Sequence, residues 1–204
     1  RIPLLGPPGS RTEVILLQIR SQQGAGDRLL CSPMLPLRSA EILTIGTELL
    51  LGEIDDTNSA RLAADLAKRG VDVFWTQRLG DNLERVRYAL ERAIGRSDLI
   101  VLTGGLGPTD DDLTRDAVAA ALGETMTVDP GLEEVLRARF RSMGRPMPER
   151  NLRQATLIPS AIALANPIGT APGWLTRVRV PENVDLHLAT VETRPPDVPG
   201  GSAM

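Results

Sequence analysis

Residues 103–114, TGGLGPTDDDLT, combine three glycines with three consecutive aspartates, directly after the apolar run DLIVL. A short run of this kind is typical of a strand with both faces covered. Glycines after a strand let the main chain approach a phosphate group closely, and the helix that follows adds a positive dipole end. Aspartates repel phosphate. The stretch therefore predicts a buried strand and a ligand loop, and it leaves the role of the acidic residues to be explained.

Strand-like and helix-like segments alternate around this loop. AEILTIG at 40–46 and VDVFWTQRLG at 71–80 are predicted strands. Helical periodicity follows each of them, and Asn58 or Thr57 is the predicted cap of the first helix. This alternation predicts an α/β fold with three α/β/α layers and a mostly parallel sheet. After the loop, TRDAVAAALG predicts a helix. A second helix is predicted with five residues facing inward: Leu132, Val135, Leu136, Phe140 and Met143.

Composition divides the chain into three parts. Residues 1–39 mix proline and glycine with arginine and lack a sustained period, which predicts a poorly ordered extension. Residues 40–180 carry the regular pattern and are predicted to form the domain. Residues 181–204 contain four prolines with weak periodicity, so we predict an irregular tail, with His187 in it and without a catalytic role.

Charge and cysteine content exclude several classes of protein. The net charge of −3 and the pI of about 5.3 argue against nucleic-acid binding. No apolar run approaches the roughly 18 residues that a membrane span needs. The single cysteine, Cys31, can form no internal disulfide. This composition predicts a cytoplasmic protein without a membrane partner.

The aspartates of the loop have two interpretations. One of Asp110, Asp111 and Asp112 could cap the following helix, with the others gaining about 0.3–1 kcal/mol from its dipole. One cap needs only one aspartate, however, and a carboxylate about 4 Å from a phosphate is repelled by roughly 4 kcal/mol at an effective dielectric of 20. A divalent cation between them would remove that conflict. We therefore predict a metal-bridged phosphate and keep capping as the alternative.

Four ordered motifs carry a family resemblance: GTELLLGEIDDTNS at 46–59, LGDN at 79–82, TGGLGPTDDDLT at 103–114 and NPIGTAPGW at 166–174. Together they resemble the N-terminal domain of the CinA (competence/damage-inducible) family, which is itself similar to the MoaB/MogA molybdopterin-binding fold. The resemblance implies a three-layer α/β fold, a site for a nucleotide or pterin phosphate, and a homo-oligomer. For CinA-type domains it further implies hydrolysis of the pyrophosphate of ADP-ribose with Mg²⁺ or Co²⁺.

The resemblance also implies the site residues. Asp81 and Asp112 match the acidic residues of the molybdopterin relatives and are the predicted catalytic groups. Asp111 and Asp112 are the predicted metal ligands. The remaining positions are predicted to bind substrate or its phosphate: Glu48, Asn58, Gly104, Gly105, Gly107, Thr109, Gly169, Thr170 and Gly173.

Two departures from the family pattern leave the function open. RPPDVPGGSAM stands where relatives carry a segment close to LPGVP-x-E-M, with Asp197 in place of a glycine. The amidase domain of the family has no counterpart in these residues, so we do not expect that activity. A metal-dependent pyrophosphatase is the first hypothesis. The alternatives are a non-hydrolytic pterin- or nucleotide-binding module and an inactive truncated relative.

Overall fold

The computed structural model describes residues 37–166, 169–180 and 184–191. In chain order the elements are β1 Ser39–Ile45, α1 Thr47–Leu50, α2 Thr57–Ala67, β2 Asp72–Leu79, α3 Leu83–Ile94, β3 Leu99–Thr103, α4 Thr114–Leu122, β4 Thr127–Val128, α5 Pro130–Ser142, a 3-10 helix Glu149–Ala155, β5 Thr156–Leu157, β6 Ala161–Leu164, β7 Gly173–Val180 and β8 Val184–Val191. None of the described helices is long and apolar enough to cross a membrane.

Six strands form the main sheet in the order β2-β1-β3-β8-β7-β6. The first four strands in this order run parallel, whereas β7 pairs antiparallel with both β8 and β6. β4 and β5 form a separate two-stranded ribbon. The predicted mostly parallel sheet is therefore confirmed, with one strand, β7, running opposite to the other five.

Neighbouring residues of β1 contact helices on opposite faces of the sheet. Leu43 is fully buried in the main core cluster, which also contains Val86 and Leu90 of α3. The Thr44 hydroxyl lies 2.6 Å from the hydroxyl of Ser59 on α2. Because successive side chains of a strand point to opposite faces, α2 and α3 cover opposite sides of β1. This is the predicted three-layer arrangement.

The prediction of an irregular tail from residue 181 is wrong for residues 184–191. These residues form β8, which lies in the interior of the sheet between β3 and β7. Leu186 and Leu188 belong to the main core cluster, and His187 between them is also buried. The sequence signal was the short alternation VDLHLATV, which the prolines on both sides obscured. Of the predicted extension 1–39, residues 1–36 lie outside the described residues, as does the tail at 192–204, and Ser39 already belongs to β1.

The inward face predicted for the second helix after the loop is partly wrong. Leu136 and Phe140 of α5 are buried and Leu132 packs against them, but Val135 and Met143 are 57% and 41% exposed. α5 packs on the 3-10 helix rather than on the main sheet. The narrow surface of that partner covers only one stripe of α5, so the apolar residues beside the stripe remain exposed.

The predicted cap of α2 is also corrected. Asp56, not Asn58 or Thr57, is the N-cap: its carboxylate accepts hydrogen bonds from the main-chain N–H of Ser59 at 2.9 Å and from the Ser59 hydroxyl at 2.7 Å. Burial raises the pKa of this carboxyl, but the hydrogen bonds from Ser59 and Thr44 and the charge of Arg78 together outweigh burial, so its pKa lies below the ordinary value.

Asp56→Ala is expected to lower the free energy of unfolding by about 1–2 kcal/mol at neutral pH, the usual loss for a removed helix cap. Because the folded-state pKa of Asp56 is lowered, its contribution is present above the unfolded-state pKa and disappears as pH falls through the folded-state value. Urea unfolding at neutral and acid pH measures both effects. Asp55→Ala, an equal charge change at the exposed neighbour, is the control, and an equal loss in both variants would contradict the capping role.

Candidate functional site

Three loops meet at the carboxyl ends of β1, β2 and β3, where ligands bind in open parallel sheets. Thr47, after β1, donates from its main-chain N–H and its hydroxyl to Asp81 Oδ2, after β2, at 2.9 and 2.7 Å. Gly104, after β3, approaches the carbonyl of Ile45 so closely that a Cβ at residue 104 would collide with it. The loops after β1, β2 and β3 therefore lie against one another.

The glycines after β3 are required by the loop's own packing. Gly105 adopts a left-handed conformation with φ +59°, and an added Cβ would lie 2.7 Å from Thr114 Oγ1. The Thr114 hydroxyl donates to the carbonyl of Gly104 at 2.6 Å. Thr114 is the first residue of α4, so these contacts fix the start of the loop against the helix that follows it. A ligand would meet a main chain that is already rigid.

Asp112 closes the same loop from the inside. Its Oδ1 accepts from the N–H of Gly107 at 2.8 Å, and its Oδ2 accepts from the N–H of Thr109 at 2.8 Å and from the Thr109 hydroxyl. A Cβ at residue 107 would collide with this carboxylate. Asp112 is therefore the internal acceptor of a closed turn. We call residues 104–112 the acidic glycine loop.

The capping interpretation of the aspartates is wrong. The N-cap of α4 is Leu113, and no side chain hydrogen-bonds the start of this helix. Helix capping therefore leaves the three aspartates unexplained. Asp112 has the internal role just described, and Asp110 and Asp111 project from the loop as exposed residues.

Asp111 is the more available of the two predicted metal ligands. It is exposed, and the side chain of Thr109, whose hydroxyl also bonds Asp112, holds the pKa of the Asp111 carboxyl below its ordinary value. Asp112 already accepts three hydrogen bonds. Among the described residues, no group of three or more histidine, cysteine, aspartate or glutamate side chains converges to hold a metal ion. Mg²⁺ commonly uses one or two carboxylates plus phosphate oxygens, so Asp111 fits a metal that a bound phosphate also coordinates.

Asp81, the second predicted catalytic residue, is likewise held by the protein. Besides accepting twice from Thr47, it donates its own N–H to the Thr47 hydroxyl at 3.2 Å. Glu48 is exposed and folds back over Gly46, where an added Cβ would lie 2.6 Å from its Oε1. Asn58 is the half-buried second residue of α2. The structure thus brings Asp81 and Glu48 to the same edge of the sheet.

The turn before β7 is organised by Asn166. Its Oδ1 accepts from the N–H of Gly169 at 2.9 Å, and its Nδ2 donates to the carbonyl of Ala171 at 2.8 Å. Gly173 begins β7, and a Cβ there would collide with the carbonyl of Thr190 on β8. Gly173 is therefore explained by close strand packing. Thr170 is half-buried in this turn, and residues 167 and 168 lie outside the described residues.

Arg115 connects this turn to the acidic glycine loop, and sequence reasoning missed it. Its guanidinium donates to the carbonyl of Leu106 at 2.7 Å and to the carbonyl of Pro172 at 2.9 Å. The side chain is almost fully buried, with its guanidinium carbon 5.8 Å from the centre of the Trp174 ring. The sequence signal for a buried Arg115 was its position next to the run of alanines in α4, a segment whose side chains are expected to be buried.

A second arginine holds the other end of the loop. Arg153 of the 3-10 helix donates to the carbonyl of Thr109 at 3.3 Å and forms an ion pair with Asp116 of α4. Its guanidinium also lies 4.0 Å from Asp110. The two arginines therefore attach the acidic glycine loop to the surrounding structure through the main-chain carbonyls of Leu106 and Thr109.

Comparison with known proteins places this architecture in a family. The family model described as a probable molybdopterin binding domain matches residues 41–186. A CinA-like protein of Deinococcus deserti is 59% identical over 138 residues, and one of Deinococcus radiodurans is 56% identical over 150 residues. These matches cover 68% and 74% of this chain. The chain therefore belongs to the family of probable molybdopterin binding domains, and to the CinA-like proteins among them.

The matched region is most of this chain but only a minor part of each curated relative. The chain spans only about a third of the length of those curated relatives, 34% and 37% respectively. Among solved structures, the protein CinA of unknown function from Thermoplasma acidophilum matches with a TM-score of 0.68 and 28% identity, covering 76% of this chain and 88% of that one. The tungsten cofactor synthesizing protein MoaB from Pyrococcus furiosus matches with a TM-score of 0.50 and 18% identity, covering 78% and 83%, which supports the fold alone.

Proposed function

We propose that the domain binds a phosphorylated pterin or nucleotide at the carboxyl edge of β1, β2 and β3, without hydrolysing it. The observation that carries this proposal is the closed acidic glycine loop, which Asp112 holds in shape before any ligand arrives. A rigid loop loses little conformational entropy when it binds, and that favours affinity. Membership in the family of probable molybdopterin binding domains supports the same class of ligand.

The two predicted catalytic carboxylates already accept hydrogen bonds from the protein, and this favours ligand binding over hydrolysis. Asp81 accepts two hydrogen bonds and Asp112 accepts three, all from the protein itself. A general base must accept a proton from the attacking water, whereas the oxygens of these carboxylates that accept hydrogen bonds are directed at donors of the protein. Neither carboxylate is presented to a substrate as a base in this arrangement.

Isothermal titration of the full chain with ADP-ribose and with a pterin phosphate, in the presence of Mg²⁺, tests the proposal. We expect saturable binding of at least one of them, and the ligand should be recovered intact by chromatography after prolonged incubation. Absence of binding for both compounds would overturn the proposal. Conversion of ADP-ribose to AMP would replace it by the hydrolase described next.

A metal-dependent pyrophosphatase acting on ADP-ribose is the second candidate, and Asp111 is the observation that favours it. Its carboxylate is exposed, and it belongs to the loop that would hold a phosphate. The Thr109 side chain lowers the pKa of this carboxyl below its ordinary value. A divalent cation on Asp111 would neutralise phosphate charge and polarise the scissile bond. The assay is AMP release from ADP-ribose with Mg²⁺ or Co²⁺.

Ligand binding is expected to depend on a divalent cation in either case. A phosphate about 4 Å from an aspartate is repelled by roughly 4 kcal/mol at an effective dielectric of 20, so EDTA should weaken ADP-ribose binding by at least about tenfold. Calorimetric titration with and without EDTA measures the difference. Asp111→Asn should remove most of the dependence on the cation. Equal affinity in both conditions would exclude the metal bridge.

A further inference from the structure

Three large apolar side chains are exposed in the segment between β1 and α2, at the edge of the main sheet that carries the acidic glycine loop. Leu50 is 51%, Leu51 68% and Ile54 50% exposed. Single exposed apolar residues are common on protein surfaces, but three within five residues form a patch, and such patches mark binding sites. We call Leu50, Leu51 and Ile54 the apolar rim.

The segment that carries the apolar rim is fixed against the end of β2. The Cδ1 atom of Leu50 lies 3.1 Å from the position that a Cβ at Gly80 would take, so this leucine packs on the residue directly after the strand. In the same segment, Thr47 donates two hydrogen bonds to Asp81. The segment is therefore attached to the site at two neighbouring residues, and the apolar rim lies beside the site.

The other loops at this edge offer a ligand polar contacts but little apolar surface. In the loops after β2 and β3, and in the described part of the turn before β7, no large apolar side chain is exposed. Leu106 of the acidic glycine loop and Ala171 of the turn are both buried. Sites for small molecules combine mostly apolar walls with a few polar groups. A ligand whose phosphate lies on the acidic glycine loop therefore finds exposed apolar side chains at the apolar rim.

The strand order sets the separation between the apolar rim and the phosphate loop. Leu50 packs at the end of β2, the acidic glycine loop follows β3, and β1 lies between these two strands. Neighbouring strands are about 4.8 Å apart, so the ends of β2 and β3 are separated by roughly 10 Å. A phosphate alone reaches only one of the two places. A ligand that contacts both must carry an apolar ring and a phosphate on different parts of the molecule, joined by a spacer such as a sugar.

We propose that the apolar rim of Leu50, Leu51 and Ile54 binds the flat ring of a nucleoside or pterin phosphate whose phosphate lies on the acidic glycine loop. The inference rests on the proposed function and names the residues that select the ring. Aliphatic side chains pack on the face of a flat ring through dispersion and through removal of apolar surface from water. They neither move a proton nor polarise a bond, so they determine affinity and specificity and no chemical step.

Substitution of the two leucines tests the inference. Leu51→Ser, and the double variant Leu50→Ser with Leu51→Ser, are titrated calorimetrically with ADP-ribose and separately with a pterin phosphate, both with Mg²⁺. We expect the affinity for the ring that packs on the apolar rim to fall by about tenfold in the single variant and further in the double variant. Leu51→Met keeps an apolar side chain and should retain the affinity. The two titrations distinguish a nucleoside from a pterin, because only the ring that packs on the rim loses affinity.

Two measurements separate loss of the ring contact from general damage to the site. Ribose 5-phosphate has a sugar and a phosphate but no ring system, and its inhibition constant is measured in competition with the ligand that binds. This constant should agree within about twofold between Leu51→Ser and the unaltered chain. EDTA should weaken ligand binding by the same factor in both chains, because the cation acts on the phosphate. An equal loss for ribose 5-phosphate, or a changed EDTA factor, would overturn the assignment of the rim to the ring.

Val135→Ser is the matched control. It removes a similarly exposed aliphatic side chain from α5, which packs on the 3-10 helix rather than on the main sheet, and it should leave every affinity unchanged. Thermal melts followed by circular dichroism check that each variant is folded. Unchanged affinity for both ring ligands in the double variant would overturn the inference and leave the proposed function in place. Absence of binding of both ring ligands to the unaltered chain would overturn the proposed function, and the inference with it.

Discussion

Arg115→Met is expected to lower the free energy of unfolding by roughly 3 kcal/mol, because it removes the hydrogen-bond donors to one buried and one half-buried carbonyl group. Those carbonyls belong to Leu106 in the acidic glycine loop and to Pro172 in the turn before β7. The variant should also weaken ADP-ribose binding by at least about tenfold, since the two segments would no longer hold one another. Urea unfolding and calorimetric titration measure the two effects.

Arg115→Lys distinguishes the contribution of the positive charge from that of the planar guanidinium group. A lysine ammonium keeps the charge but lacks the planar fork that reaches two carbonyls at once, so it should recover only part of the stability. Arg137→Met, which removes a half-exposed arginine paired with Glu133 on α5, is the control and should change stability by less than about 1 kcal/mol. If Arg115→Met unfolds at the same urea concentration as the unaltered chain, the connection does not stabilise the fold.

Asp112→Asn is expected to weaken ligand binding by about a hundredfold and to destabilise the acidic glycine loop. An asparagine must turn its amide –NH₂ group either toward the N–H of Gly107 or toward the donors of Thr109, so one hydrogen bond is replaced by two facing donors. The local cost is about 1–3 kcal/mol. Had Asp112 been a helix cap, asparagine would have been tolerated, because the two residues cap equally well.

Asp110→Asn is the matched control for this prediction. It removes the same charge from the same loop, but Asp110 is fully exposed and its carboxylate lies 4.0 Å from the Arg153 guanidinium. We expect it to change affinity by a few fold at most, through charge alone. If both variants weaken binding equally, the charge of the run matters and the hydrogen bonds of Asp112 do not. Hydrogen exchange at Gly107 and Thr109 would report the loosened loop directly.

The arrangement of strands around the acidic glycine loop could be predicted because local signals agreed with the fold. The apolar runs of β1 and β3 are buried on both faces, and each ends where its loop begins. The family resemblance carried by the four motifs indicates which loops lie close together. β8 could not be predicted in the same way, because its strand character depends on β3 and β7 on either side of it. A short alternation between prolines does not reveal such partners.

The sequence predicts the positions of the site residues better than it predicts their roles. Residue type placed Asp81 and Asp112 near a ligand, but hydrogen bonds in three dimensions decide whether a carboxylate faces a substrate or the protein. Gly104, Gly107 and Gly173 were interpreted as ligand contacts, and each is explained by a neighbouring backbone or carboxylate. Arg115 was missed because an arginine in a helix usually faces solvent.

The interior position of β8 has a consequence for the order in which the protein can assemble. β3 and β7 each pair with β8, so the sheet is divided into two separate halves until residues 184–191 have been synthesised. The β2-β1-β3 half and the β6-β7 half both present open edges during that interval. Contacts between distant parts of a chain form slowly, and exposed edges invite aggregation. Synthesis on the ribosome therefore delays completion of the core until almost the whole domain has emerged, and a chaperone that covers strand edges would act during this interval.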